Sequence, residues 1–81
     1  MKNKIDLLEQ QIIVDSYIIH NTNSSQKLNY KKTSHIWAME ISKWAGVEIS
    51  IQAIDKVCKK YDIRTAEISK GVNVYGIQTI K

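Results

Sequence analysis

The side chains best placed for chemistry lie in one short stretch, Ser50-Ile51-Gln52-Ala53-Ile54-Asp55-Lys56-Val57-Cys58-Lys59-Lys60-Tyr61. Ile51, Ile54, Val57, Cys58 and Tyr61 recur at three, four and seven residues, which is the spacing of one face of a helix. Gln52, Asp55, Lys56, Lys59 and Lys60 fall on the opposite face. Lys56, Lys59 and Lys60 within one turn suit phosphate, since an ammonium acts as a point charge. Gln52 pairs well with the edge of an adenine. It also sits near the start of its helix, where base contacts usually fall. Ser50 reads as a helix cap, and a hydroxyl beside free helix amides also favours an anion. Asp55 is discordant. It would repel phosphate, and it either orients Lys59 as an ion pair or marks a face that meets protein.

Catalysis would need groups that this sequence scatters. His20 and His35 have no Cys or carboxylate beside them at metal-ligand spacing. Cys58, the single cysteine, falls on the apolar side of its helix and reads as core. As a nucleophile it would require a base and an orienting group, which no motif supplies. Gly46, Gly71 and Gly76 are dispersed and form no phosphate loop. No catalytic residue, metal or cofactor is expected.

The whole chain is consistent with a binding protein. It has 81 residues, enough for one domain over 1–81. A domain of this size buries only about 60% of its unfolded surface, so a partner subunit or nucleic acid would add stability. Twelve Lys or Arg against eight Asp or Glu give a net charge of +4. Residues 28–81 carry all of that excess, which suggests an anionic partner. Only Arg64 is an arginine. A lone cysteine suits a reducing compartment. No stretch approaches the roughly 20 apolar residues of a membrane span. A cytoplasmic protein without a membrane partner is expected.

The elements that would position these groups follow from periodicity and punctuation. Residues 4–20 predict a helix with two apolar sets, Ile5, Leu8, Ile12 and Ile19 beside Leu7, Val14, Tyr17 and Ile18. That surface is wider than one ordinary stripe. One face would dock on the domain. The excess, Ile5, Leu8, Ile12 and Ile19, either meets a second copy or is wrapped by the domain itself. The polar run 21–26 favours turns. Residues 27–32 alternate at Leu28 and Tyr30 and predict a short strand. Thr33 or Ser34 caps a second helix with Trp37, Ile41 and Trp44 on its core face, and Gly46 ends it. After the helix over 50–61, residues 64–69 alternate with Ala66 and Ile68 on one side. Lys70-Gly71 signals a turn, and 72–80 is rich in β-formers. Val72 and Val74 share one face of that strand, and Tyr75, Ile77 and Thr79 the other. Gly76 marks a bend where the facing changes. Arg64 would pair with Glu67 or Asp62, and Tyr30 and Tyr75 are open to surface roles.

This order, an α+β class that is mainly α, resembles the winged helix-turn-helix family: three helices followed by a C-terminal β-hairpin. The resemblance covers 28–81 well and 4–20 loosely. Ile41-Ser42 followed by Gly46 is similar to the second helix and turn of a helix-turn-helix, where a small residue four before a glycine permits close approach. Ile51 and Ile54 come one residue earlier than the simple pattern places them. The resemblance implies that 50–60 is a recognition helix and that Lys70 lies at the wing. It implies that Lys31 and Lys32 lie near the DNA backbone. The expected partner is DNA, duplex rather than single strand, bound through Lys31, Lys32, Ser50, Gln52, Lys56, Lys59, Lys60 and Lys70. The expected role is a small transcriptional regulator or an accessory of DNA replication or mobile-element maintenance. The alternative is an adaptor or inhibitor on the same fold that binds protein. A homodimer would form through Ile5, Leu8, Ile12 and Ile19.

Overall fold

The computed structural model describes residues 5–80. Residue 4, where the first helix was expected to begin, lies outside that range. Helix α1 spans Leu7–Asn21, and the Asp6 carboxylate caps it by accepting from the Glu9 N–H at 2.8 Å. A short strand β1, Thr22–Ser24, follows directly. Helix α2 spans Ser34–Ala45 with Thr33 at its N-cap. Gly46 stops it in the left-handed conformation, φ 75°, with its N–H on the Ser42 carbonyl. Helix α3 covers Ile51–Lys60, capped by the Ser50 hydroxyl accepting from the Ala53 N–H. Strands β2, Thr65–Ser69, β3, Val72–Tyr75, and β4, Ile77–Thr79, complete the chain. The class is α+β, as expected.

The strands form two antiparallel pairs, β2 with β3 and β1 with β4. Gly76 joins them. Its N–H donates to the Arg64 carbonyl on one side at 2.7 Å, and its carbonyl accepts from the Ser25 N–H on the other at 2.6 Å. The segment 72–79 is thus one bent central strand, with β2 along one edge and β1 along the other. The expected bend at Gly76 is present.

Two expectations about strands need correction. The strand expected over 27–32 is absent. Side chains take the backbone groups there instead: Ser25 Oγ accepts from the Lys27 N–H and Asn29 Oδ1 from the Lys31 N–H. Such local bonds stabilise turns in competition with a ladder. The first strand lies earlier, in the polar Thr22–Ser24, where pairing with β4 supplies what composition does not. The register of β2 against β3 slips between Glu67 and Ser69, so Ile68 is an extra residue. Ile68 is exposed and does not share a buried face with Ala66. Val74 and Tyr75, neighbours on opposite faces of β3, are both fully buried.

The core collects Val14, Tyr17 and Ile18 from α1, Trp37 and Ile41 from α2, and Ala53, Ile54, Val57 and Cys58 from α3. Ile49, Tyr75 and Ile77 close it. Each large aliphatic or aromatic side chain there contributes about 1.5–3 kcal/mol by leaving water. Trp44 departs from expectation: it remains 51% exposed, with its ring edge-to-face on Tyr17 at 5.2 Å between centroids. Ser42 does more than spare space between α2 and α3. It is buried, and its hydroxyl accepts from the Ile49 N–H at 2.9 Å, fixing the turn.

Candidate nucleic-acid interface

Helix α3 is held from both sides, and that determines which of its polar side chains are free. Along one flank it lies beside α1. Gln10 Oε1 accepts from the Ser50 N–H at 2.8 Å. At the far end Lys60 Nζ sits 2.7 Å from Asp15 Oδ2, over the Tyr61 ring, and the Tyr61 hydroxyl donates to the same carboxylate. Hydrogen bonds from Lys60 and Tyr61 hold the Asp15 carboxyl below the usual aspartate range. The same contacts raise Lys60 and Tyr61.

Along its other flank α3 meets the hairpin. Asp55 accepts from Asn73 Nδ2 at 3.2 Å and 3.3 Å, and from the buried Tyr75 hydroxyl. Burial, with Asp55 beside it, drives the Tyr75 phenol well above its ordinary value, so it stays a donor. Ser34, buried at the start of α2, accepts from the Asn73 N–H at 3.1 Å. Asn73 therefore ties the start of α2, the middle of α3 and the hairpin into one surface. Asp55 was expected to orient Lys59 or to mark a protein-binding face. It anchors the hairpin instead. Tyr75 is core and not surface.

The remaining polar residues of α3, Gln52, Lys56 and Lys59, are exposed and close no ion pair among the described residues. Lys70 is exposed at the hairpin turn, beside Gly71 with φ 75°. A shallow cleft between α3 and the hairpin is lined by Asp55, Lys59, Asp62, Ile63, Thr65 and Asn73.

Three of the expected contacts are committed elsewhere. Lys60 belongs to the α1–α3 contact. Lys32 Nζ lies 2.7 Å from Glu40, donates to Thr79 Oγ1 at 2.9 Å and sits 4.5 Å above the Trp37 ring. Ser50 is used as a cap. Lys31 is exposed on a loop fixed by Asn29, whose N–H and side chain bond to the Tyr75 and Ile77 carbonyls. Arg64 pairs with neither Glu67 nor Asp62 and donates to the Gln26 carbonyl at 3.0 Å. Tyr30 is exposed on the same loop as Lys31, as its surface reading required. His35 is exposed in the first turn of α2.

Cys58 is fully buried, and burial pushes its thiol up to about 12, so it is held protonated. No helix among the described residues is long and apolar enough to cross a membrane. The chain matches no protein-family model, no curated protein and no solved structure.

Proposed function

We propose that the chain is a winged helix-turn-helix domain that binds duplex DNA through α3 and the β2–β3 hairpin. One observation carries this reading. Gln52, Lys56 and Lys59 stand exposed on α3 while Asp55, the only acid of that face, is drawn to the hairpin by Asn73 and Tyr75. The layout supports it. Three helices precede the β2–β3 hairpin, and a short strand between α1 and α2 pairs with β4. Gln52 would read a base edge from the first turn of α3. Lys56 and Lys59 would hold phosphates, and Lys70 would reach the backbone from the hairpin turn.

The test is fluorescence anisotropy of labelled duplex and single-stranded DNA at two salt concentrations. Binding driven by phosphate weakens steeply with salt because counterions are released. The paired change Lys56→Glu with Lys59→Glu removes two such contacts. It should flatten the salt slope by about 2 and leave the fold intact, since both side chains are exposed. Unchanged duplex binding in that variant would refute the assignment of α3.

A second reading, a protein-binding adaptor on the same fold, is favoured by the apolar side chains left exposed on α1. Absence of binding to either form of DNA at low salt would turn the case to it.

A further inference from the structure

Leu8, Ile12 and Ile19 are 68%, 64% and 56% exposed on the outer side of α1. With Asp15 they make one line, positions 8, 12, 15 and 19, in steps of four, three and four; Ile5, expected on the same line, precedes the Asp6 cap and lies outside the helix. That is the spacing of a seam which meets another helix. The single polar member, Asp15, is already paired with Lys60 and Tyr61. The seam can therefore be covered without stranding an unpaired carboxylate.

Charge indicates the occupant and its direction. The start of α1 carries the exposed acids Asp6 and Glu9. Further along the same side stands Lys60, which is paired with Asp15 yet remains 63% exposed at its side chain, so its ammonium can accept a second acidic neighbour. A second copy laid parallel would set Asp6 and Glu9 against themselves. A second copy laid antiparallel sets the acidic end of each helix toward the Lys60 end of the other.

We propose that the chain forms a two-fold dimer through antiparallel α1 helices, with Leu8 facing Ile19 of the partner subunit. Each of the three exposed side chains would hide on the order of 100 Å². A standard interface hides about 800 Å² per partner. Gln11, Asp15, Lys60 and Tyr61 add area at the edge of the seam, yet the apolar part stays small. The dimer is therefore reversible and depends on concentration.

Sedimentation equilibrium of the full chain, in the absence of DNA, tests this apart from the DNA-binding reading. The expected mass rises from one chain toward two as concentration increases. Ile12→Glu should hold it at one chain, with the circular dichroism unchanged because Ile12 is exposed. Met39→Glu, an equally exposed site on α2, should dimerise as the parent does. A mass of one chain at every concentration overturns the proposal, as does undiminished association of the Ile12→Glu protein. Direction is read by mixing and oxidising Leu8→Cys and Ile19→Cys chains. Cross-links between the two variants are expected, and cross-links only within each variant would overturn the antiparallel arrangement. Cys58 is buried and does not compete.

Discussion

Gly76 shows how one residue can carry two sheets. A Cβ built there would fall 2.3 Å from the Ser25 carbonyl oxygen, a distance that no side chain tolerates. The same glycine donates to Arg64 and accepts from Ser25. Ala in its place must push β1 away and lose the bond to Ser25. Gly76→Ala should therefore cost about 3 kcal/mol, read as a lowered midpoint in urea with an unchanged slope. The bend at Gly76 was legible from a glycine inside a β-rich run. Its cause was not, because the obstructing atom lies 51 residues away in the chain. Asp55 and Lys60 teach the same lesson. Their charge and helical face were plain from spacing, whereas Tyr75, Asn73 and Asp15, which claim them, are brought near only by folding. Asp62 ends α3 by its backbone. It adopts φ 56°, and the Ile63 N–H closes back on the Cys58 carbonyl, a helix ending usually given to glycine.

At the scale of elements, helices were legible because their signals are local. Thr33 and Ser50 sit at the N-caps, Gly46 sits where a left-handed residue is needed, and apolar residues fall at helical spacing between them. The first helix starts at Leu7, later than the expected residue 4, because Asp6 caps it. Strand β1 was not legible, since Thr22-Asn23-Ser24 has the composition of a turn and becomes a strand by pairing with β4. Trp44 has core spacing, but its ring meets Tyr17 of α1 edge to face and half of it stays exposed. The contact of α1 with α3 has its own pH signature. The Asp15 carboxyl titrates below its unfolded value near 3.8, so its contribution to stability is present above that value. The contribution is lost as pH falls through the folded value. Lys60 is raised, so its share is present below its ordinary 10.5 and fades as pH climbs through the folded value. Unfolding midpoints of the parent should therefore drop at both extremes. Asp15→Asn should lower the midpoint at neutral pH and flatten both limbs. An Asp15→Asn profile as steep as the parent's at acid pH would remove the pair as the cause.

For the whole molecule, small size makes binding visible as stability. A chain of this length has a thin margin between burial and conformational entropy, so any partner of the folded state alone raises its melting point by mass action. Duplex DNA at about 100 times its dissociation constant adds about 2.7 kcal/mol. A domain of 60–100 residues shifts by about 4–8 °C per kcal/mol, so the rise should be about 10–20 °C. Two surfaces make different demands on that experiment. The proposed stabilisation through α3 should require DNA, weaken with salt and disappear when Lys56 and Lys59 become Glu. The proposed stabilisation through α1 should require only more of the chain itself, resist salt and disappear with Ile12→Glu. Melting curves at low and high protein concentration, with and without duplex, separate the two in one set of samples. A melting point indifferent to DNA but rising with protein concentration would leave self-association standing and transfer the basic face of α3 to a protein partner. A rise with DNA that the Lys56 and Lys59 changes abolish, together with a concentration effect that Ile12→Glu abolishes, would establish one small domain with a DNA face and a pairing face. Ile12 stands on α1, and Lys56 and Lys59 stand on α3, so each variant should silence its own effect and leave the other intact.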